Sequence, residues 1–303
     1  LGERDCSLQR RYQKVVEFAP AWSVPKDTIE RLRADAVKIA RHVGYINAGT
    51  VEFLVDRNGS HYFIEMNPRI QVEHTVTEMV TGIDLVRAQI LIAEGLPMSD
   101  PRIGLTCQED LHINGYAIQC RVTTEDPRNN FAPDTGKITA YRSGGGFGVR
   151  LDGGNAYAGA VVSPYYDSLL VKVTAWDNTF QGACRRATRA ISEEHVRGVK
   201  TNIPFVTNIL THPTFHAGKC HTKFIDDTPE LFDIDTGRDR ATKVLKYIAE
   251  IQVQNPSAER RQLDVPRFPP YENTPPKCTG LKQVLDQGGP EAVKQWVLDQ
   301  KKQ

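Results

Sequence analysis

The chain has 303 residues, and its 38 Lys and Arg side chains nearly balance 37 Asp and Glu, which leaves a formal net charge of +1. This balance argues against binding to nucleic acid, and no apolar run approaches the ~20 residues that a membrane helix needs. The six cysteines are scattered without a Cys-x-x-Cys pair, which predicts free thiols in a reducing compartment. The length suits one large domain or two modest ones.

A polar strand-like run that ends near Lys14 is the first predicted element, and a lone lysine of this kind is usually a solvated surface charge. An amphipathic helix is predicted over residues 26–43, with Ser23 as its candidate cap and Gly44 as its stop. Its apolar side chains recur at helical spacing and should form one buried stripe. The members of this stripe are Ile29, Leu32, Ala36, Ile39, Ala40 and Val43.

A β-hairpin is predicted next, from strands at residues 51–56 and 61–67 around an Asn-Gly dipeptide at 58–59. Asn-Gly favours a two-residue loop. Counting outward from that loop places Glu52 directly opposite Glu65, with their Cβ atoms about 5 Å apart. Like charges in this arrangement destabilise a strand pair unless something neutralises them.

The two facing carboxylates have a third polar neighbour, because Asn67 falls on the same face of the second strand as Glu65. Two acids and an amide oxygen suit a hard cation such as Mg²⁺, which takes one or two carboxylates and leaves positions for phosphate oxygens. The alternative is a solvated strand face that tolerates two acids.

Residues 68–74 alternate polar and apolar side chains, so an extended segment would project Arg69, Gln71 and Glu73 to one side. A guanidinium group, an amide and a carboxylate would then lie just beyond the two carboxylates of the predicted cation site. Arginine offers a planar fork for a small oxyanion, and a glutamate could remove a proton from that anion.

The remainder of the chain is predicted to begin with a helix at residues 83–94, followed by a loop at 96–110 that could separate two subdomains. Strands are then predicted at residues 116–122, 138–141, 149–151 and 169–176, and helices at 179–194, 202–211 and 238–251.

A glycine-rich segment at residues 143–148 lacks the Gly-Lys-Ser/Thr ending of a phosphate loop, so we interpret it as a flexible hairpin turn that aims Arg150. Residues 252–280 are proline-rich and polar, as in a linker. Two short helices should follow, and their small apolar patch should be covered by a further domain. The patch consists of Val293, Trp296 and Val297.

Four motifs resemble the biotin carboxylase component of the biotin-dependent carboxylases, which has an ATP-grasp fold. They are EMNPRIQVEHT at residues 65–75, RRYQKVVE at 10–17, FGVR at 147–150 and PYYDS at 164–168. The resemblance covers nearly the whole chain. It implies an α+β fold, with the C-terminal part of an ATP-grasp domain at 1–96, the C-terminal biotin carboxylase domain at 97–232, and a helix and linker at 233–303.

Within this family the chain is most similar to the pyruvate carboxylases. Residues 121–127 carry paired threonines where acetyl-CoA and propionyl-CoA carboxylases usually have Asn-Ala, and the tail from residue 224 onward resembles the pyruvate carboxylase linker. The implied reaction is ATP- and bicarbonate-dependent carboxylation of biotin, for carboxylation of pyruvate to oxaloacetate. The alternatives are an acetyl-CoA or propionyl-CoA carboxylase, and a non-catalytic assembly module.

The resemblance also implies site residues for ATP and its metal. Glu52, Glu65 and Asn67 would hold Mg²⁺ or Mn²⁺, and ATP would contact both of these carboxylates together with Gln9 and Tyr12. Tyr12 departs from the family, in which histidine is frequent at the matching position, so the local nucleotide contact should differ.

The bicarbonate site implied by the resemblance consists of Lys14, Arg69, Gln71, the backbone of Val72, and Glu73. Glu73 would act as the base, and Lys14 and Arg69 would take part in catalysis. A further arginine, Arg150, would stabilise the enolate-like form of biotin.

Several partners follow from the resemblance alone. Biotin would arrive on a carrier domain that this chain does not contain, and the full protein would be a homo-oligomer, a tetramer in the pyruvate carboxylases. The expected location is the cytoplasm in bacteria or the mitochondrial matrix in eukaryotes. In relatives, the glycine-rich lid and further nucleotide contacts lie upstream of the matching region, so we expect the chain to be inactive by itself.

Overall fold

The computed structural model describes residues 1–154, 156–234, 244–245 and 247–251. It divides into one compact unit at Leu1–Arg238 and a second at Asp239–Gln303, of which only a few helical residues are described. The predicted linker, the two short helices and their apolar patch lie outside the described residues. The predicted domain boundaries after residues 96 and 232 stay predictions.

Thirteen strands are described in the first unit. In chain order they are β1 (Asp5–Arg10), β2 (Gln13–Ala19), β3 (Thr50–Val55), β4 (His61–Asn67), β5 (Tyr116–Thr123), β6 (Glu125–Asp126), β7 (Ala132–Pro133), β8 (Gly136–Lys137), β9 (Ala140–Arg142), β10 (Val149–Gly153), β11 (Val161–Val162), β12 (Leu169–Asp177) and β13 (His195–Arg197).

Six α-helices accompany these strands. They are α1 (Lys26–His42), α2 (His74–Thr81), α3 (Leu85–Ala93), α4 (Phe180–Glu193), α5 (Ile203–Thr211) and α6 (Pro213–His216). Short 3-10 turns lie at Gln108–Asp110, Pro127–Asn129 and Pro229–Phe232. No helix among the described residues is long and apolar enough to cross a membrane.

A five-stranded antiparallel sheet forms the centre, in the order β1-β2-β5-β12-β10. Successive side chains of a strand point to opposite faces, and β5 uses both. Its even-numbered residues Ile118 and Cys120 belong to the large core with helices α4 and α5. Its odd-numbered residues Ala117 and Gln119 lie on the α2 side. The sequence reads correctly the strands at β5 and β12 and the helices at α4 and α5.

The predicted hairpin exists, but its loop is not the two-residue loop that Asn-Gly favours. Three residues, 57–59, form the loop, and the Asp56 carboxylate accepts hydrogen bonds from the backbone N–H groups of Asn58 and Ser60, both at 2.9 Å. Gly59 follows in the left-handed region with φ of 78°, which is a common three-residue hairpin geometry. The aspartate side chain therefore stabilises the longer loop.

The longer loop would shift every cross-strand pair by one residue, yet Glu52 still faces Glu65. A β-bulge restores the register, because Phe53 pairs with Phe63 and leaves Ile64 as the extra residue. The carboxylate pair predicted from the sequence is therefore confirmed, although the loop from which it was inferred is wrong.

Helix α1 matches the predicted range, but its start and its burial differ from the prediction. Pro25, not Ser23, occupies the cap position, and no side chain caps the helix. The predicted stripe is half-buried, Val43 at its end is exposed, and Thr28 is the one buried residue of the helix. The stripe stays accessible because α1 lies against the small hairpin and not against the central sheet.

Residues 68–74 are not extended, which corrects the geometry that the alternation suggested. The chain turns between Gln71 and His74, where the His74 N–H donates to the Gln71 carbonyl at 3.2 Å. Helix α2 begins directly after Glu73. Helix α2 was not predicted from the sequence, because with 8 residues it is too short for its helical period to stand out from the preceding alternation. The next helix, α3, was predicted and is capped by Asp84.

The glycine-rich segment at 143–148 connects two different sheets and is not a hairpin turn. It links β9, which pairs with β13, to β10, which pairs with β12. Gly148 adopts a φ of 72°, and a side chain there would collide with the Trp176 carbonyl. The local glycines therefore permit a close crossing of the chain between the sheets.

Phe180 is the side chain with which we test the core. It is 3% exposed, and its ring contacts those of Phe18, Trp22 and Phe215. We expect Phe180→Ala to lower the free energy of unfolding of the purified chain by about 3–5 kcal/mol, because it leaves a cavity. Phe147→Ala is the control, since that ring is 82% exposed. Denaturant unfolding measures both, and a loss below about 1 kcal/mol for Phe180→Ala would contradict the packing.

Candidate functional site

Four separate segments bring charged side chains together beside α2. Lys14 comes from β2, Glu52 from β3, Glu73 from the residue before α2, and Arg121 from β5. The Lys14 Nζ donates to Glu52 Oε1 at 2.7 Å and to Glu73 Oε1 at 2.6 Å. The Arg121 Nη2 donates to Glu73 Oε2 at 3.1 Å. Each oxygen of Glu73 therefore accepts a hydrogen bond from a different cation.

Glu73 is the most enclosed acid of this group, with a side chain only 2% exposed. Burial alone would raise the pKa of Glu73, but the hydrogen bond and the positive charge of Lys14 outweigh it and hold that pKa below its ordinary value. Burial likewise opposes the charge of Lys14, whose pKa is nevertheless raised by its acidic neighbours. Both groups are thus charged at neutral pH, and Glu73 can accept a proton.

Arg121 is the residue that the sequence analysis missed at this site. Besides Glu73, it binds Glu17, to which its Nε donates at 2.6 Å. The available signal was its place at the head of the motif at residues 121–127. A strand arginine gives no local sign of its partner, however, because Glu73 lies 48 residues away in the chain.

Gln71 and Arg4 connect the hairpin to this group. The Gln71 Nε2 donates to Glu52 Oε1 at 2.7 Å, and the Gln71 Oε1 accepts from the Arg4 Nη2 at 2.7 Å. Arg4 also donates to the hydroxyls of Thr50 and Thr77, each at 3.0 Å. The structure therefore brings Gln71 into the site as predicted and adds Arg4, which the sequence analysis did not single out.

The predicted cation site consists of two carboxylates and an amide on the hairpin. The Asn67 Nδ2 donates to Glu65 Oε1 at 2.8 Å and to Glu52 Oε1 at 3.3 Å, so the three side chains share one face. Among the described residues there is no cluster of three or more His, Cys, Asp or Glu that could hold a metal. Two carboxylates and an amide are nevertheless enough for Mg²⁺ when phosphate oxygens complete its coordination.

Two predicted site residues lie apart from Glu73. Arg69 is exposed and donates to the Ile70 carbonyl at 3.1 Å and to Asn67 Oδ1 at 3.3 Å. Arg150 pairs with Glu78 and Asp152. The arginine that contacts Glu73 is Arg121. The predicted roles of Arg69 and Arg150 stay predictions.

Val72 and the β1–β2 turn hold the other predicted contacts. The Val72 carbonyl accepts from the Lys172 Nζ at 3.2 Å. Gln9 pairs with Lys14 across β1 and β2, and Tyr12 is 97% exposed at the turn. Tyr12 and its neighbour Arg11 both have positive φ, 63° and 50°, a conformation unfavourable for non-glycine residues. The ATP contacts predicted for Gln9 and Tyr12 stay predictions.

A cavity of about 280 Å³ opens beside Lys14 and Arg121. Four cationic and two acidic side chains line it, so its potential favours an anion. The charged side chains are Arg10, Arg11, Lys14, Arg121, Glu125 and Asp167. A second cavity of about 330 Å³ shares Gln13, Pro133 and Asp167 with it.

Two family models match the chain. Residues 1–100 match the ATP binding domain of the carbamoyl-phosphate synthase L chain, and residues 119–227 match the biotin carboxylase C-terminal domain. Together they cover the cation site, the Glu73 group and most of the central sheet.

Curated relatives match over almost the whole chain. The pyruvate carboxylase of Aspergillus terreus is 53% identical over 306 residues, which cover 96% of this chain and 25% of that protein. The pyruvate carboxylase of Bacillus subtilis (strain 168) is 50% identical over 305 residues, which cover 99% of this chain and 26% of that protein. The chain thus spans about a quarter of the length of these relatives.

Solved structures agree with these matches. The crystal structure of the complete pyruvate carboxylase of Rhizobium etli is 51% identical with a TM-score of 0.76, covering 97% of this chain and 29% of that chain. The biotin carboxylase domain of Hydrogenobacter thermophilus 2-oxoglutarate carboxylase, in complex with MgADP and bicarbonate, is 44% identical with a TM-score of 0.73. That match covers 77% of this chain and 50% of that chain. The chain is therefore similar over nearly its whole length to about a quarter of the length of the pyruvate carboxylases, and its residues 119–227 match the biotin carboxylase C-terminal domain.

Proposed function

We propose that the chain takes part in the ATP- and bicarbonate-dependent carboxylation of biotin, as the part of a biotin carboxylase that binds and deprotonates bicarbonate. The observation that carries this proposal is the enclosed Glu73 carboxylate between Lys14 and Arg121. Such a group can remove the bicarbonate proton while the two cations neutralise the charge that develops on the anion.

The hairpin would supply the metal side of the same reaction. Glu52, Glu65 and Asn67 would hold Mg²⁺ or Mn²⁺, which would supply positive charge to neutralise the phosphates of ATP. The attacking bicarbonate oxygen bonds to the γ-phosphorus as the bond to ADP breaks, which gives carboxyphosphate and ADP. In phosphoryl transfer the protein contributes mainly position and charge neutralisation. The 2.7 Å contact between Lys14 and Glu52 links the two halves of the site.

Biotin would enter through the adjoining cavities. They meet at Gln13, Pro133 and Asp167, and the first of them reaches Lys14 and Arg121. A biotinyl carrier domain would deliver the ring, and the carboxyl group would pass from carboxyphosphate to its ureido nitrogen, whose proton would leave with the released phosphate. In this step Arg121 lies closer to the proposed base than Arg150, whose guanidinium is engaged by Glu78 and Asp152.

Pyruvate is the acceptor that we propose for the complete enzyme, which would be a homo-oligomer. The support is the set of pyruvate carboxylases at 49–57% identity. A second candidate is 2-oxoglutarate, because the biotin carboxylase domain of a 2-oxoglutarate carboxylase is 44% identical. Carboxylation assays with each acceptor, on the full-length carboxylase that contains this sequence, separate them. Formation of oxaloacetate from pyruvate supports the first.

Glu73→Gln tests the base. In the full-length carboxylase that contains this sequence, we expect bicarbonate-dependent ATP cleavage to fall by about 10²- to 10⁴-fold, because the amide cannot accept the proton. Phosphate release measures the rate, and thermal unfolding checks that the fold survives. Glu30→Gln, an exposed change on α1, is the control. A loss below about threefold with an unchanged fold would exclude Glu73 as the base.

Glu65→Gln tests the pair of carboxylates that is proposed to bind the metal ion. We expect the Mg²⁺ concentration for half-maximal ATP cleavage to rise by about tenfold or more, because one of two carboxylate ligands is lost. The KM for bicarbonate should stay nearly constant, since Glu65 does not contact Glu73 or Lys14. Glu94→Gln, at the exposed end of α3, is the control. Wild-type Mg²⁺ dependence of the Glu65→Gln enzyme would refute the metal assignment.

The isolated 303-residue chain should not catalyse the carboxylation of biotin. Its described residues supply the bicarbonate groups and the metal carboxylates but no glycine-rich loop followed by a helix that could hold phosphates. Without alignment of ATP and bicarbonate, several kcal/mol of barrier reduction are lost, by the order of magnitude known for positioned reactants. The assay supplies free biotin, ATP, Mg²⁺ and bicarbonate. Phosphate release that Glu73→Gln abolishes would contradict this expectation.

A further inference from the structure

Glu17 lies beneath the site. The proposed reaction gives this ionisable side chain no role. Glu17 is part of β2, and its side chain is 0% exposed. One of its oxygens, Oε1, accepts a hydrogen bond from Arg121 Nε at 2.6 Å and forms an ion pair with Arg121 Nη2 at 2.5 Å. The other, Oε2, accepts from Gln119 Nε2 at 3.1 Å. Both carboxylate oxygens are therefore satisfied by groups on β5.

The hydrogen bonds continue from Gln119 into α2. The Gln119 Oε1 accepts from the Thr75 hydroxyl at 2.5 Å, and that hydroxyl lies 2.7 Å from the hydroxyl of Thr174 on β12. All three side chains are buried. Thr75 is in the first turn of α2, two residues after Glu73. The network therefore connects β2, β5, β12 and the segment that carries the proposed base, and it leaves little freedom for Arg121 to move relative to Glu73.

This arrangement is not explained by stability. A buried ion pair loses in desolvation about as much as it gains by attraction, and apolar residues of similar volume often serve a fold equally well. Burial, with a smaller contribution from the charge of Glu73, raises the pKa of Glu17 to about 7 in spite of the Arg121 charge. The effect that remains is orientation, because Arg121 Nη2 faces Glu17 Oε1 and Glu73 Oε2 at once.

We propose that Glu17 is a positioning residue for the deprotonation of bicarbonate, which holds the guanidinium of Arg121 against the carboxylate of Glu73. This inference rests on the proposed function. Ionised Glu17 fixes the edge of the guanidinium that carries Nε and leaves Nη2 directed at Glu73. Protonated Glu17 loses this charge-assisted contact, so Arg121 is no longer held in one orientation.

The titratable groups around Glu17 are few. Arg121 faces it from β5 and Glu73 from the segment before α2, Cys6 lies near it on β1, and Cys120 is on the opposite face of β5. Burial raises the pKa of both thiols, so they are neutral around pH 7. Glu17 itself is therefore the group that changes charge near pH 7, and activity should fall as the pH drops through that value.

The test measures bicarbonate-dependent ATP cleavage by the full-length carboxylase that contains this sequence, across a pH series that spans pH 7. Glu17→Gln imitates a permanently protonated Glu17. We expect it to lower kcat by about 10- to 100-fold, the order of magnitude of a small misplacement of a catalytic group, with little change in the KM for ATP. The fall of activity on the acid side near pH 7 should disappear in this variant.

Glu194→Gln is the matched control. Glu194 is also buried, at 6% exposure, and burial also raises its pKa to about 7, but it lies beside Tyr141 and away from Arg121. It should keep the wild-type kcat and the wild-type pH profile. The same loss in both variants would mean that neutralising any buried acid harms the enzyme, and would overturn the inference.

Glu17→Asp is the conservative variant, and it also serves if Glu17→Gln does not fold. It keeps the charge but is one methylene shorter, so it should retain a fall of activity on the acid side and exceed the Gln variant in kcat. Wild-type kcat and pH profile in Glu17→Gln, or an Asp variant without any acid-side fall, would overturn the inference. Absence of bicarbonate-dependent ATP cleavage in the wild-type enzyme would instead overturn the proposed function on which it rests.

Discussion

The site depends on the two ion pairs that the ammonium group of Lys14 forms. This ammonium group lies 2.7 Å from Glu52 of the hairpin and 2.6 Å from Glu73 beside the central sheet. These acids come from different parts of the fold, and without a cation between them they would repel each other. The hairpin has little apolar contact to fix it, since Leu54 and Tyr62 are 48% and 58% exposed. Charge pairing therefore sets the position of the proposed metal side relative to the proposed base.

The central sheet makes this pairing possible because its two faces have different compositions. The even-numbered residues of β5 are apolar and enter the large core. The odd-numbered positions include Gln119 and Arg121, which face α2 and the site. One strand thus supplies both packing and chemistry, because its side chains alternate between the faces. Substitutions on one face should affect stability, whereas those on the other should affect function.

Pairing with cations explains why the proposed base stays ionised although it is enclosed. A carboxylate that is 2% exposed would normally take up a proton at higher pH than in water, but Lys14 and Arg121 each bind one of its oxygens. The same low-dielectric surroundings strengthen these contacts. Glu17 behaves differently, although it binds the same arginine as Glu73. Its burial outweighs the charge of Arg121 and raises its pKa to about 7. Two acids on one arginine thus respond differently to pH.

The sequence by itself determined the strands and helices of strong period and the hairpin that carries Glu52 and Glu65, because these depend on neighbours within about a dozen residues. Its motifs also predicted the similarity to pyruvate carboxylases. Tertiary structure decided the rest: the bulge that restores the hairpin register, the turn before α2, and the contact of Arg121 with Glu73 and Glu17. These contacts join residues up to 104 positions apart, and no local pattern encodes such a pairing. Only the folded sheet brings those strands side by side, which is the physical reason that the partner of the proposed base could not be found from sequence spacing.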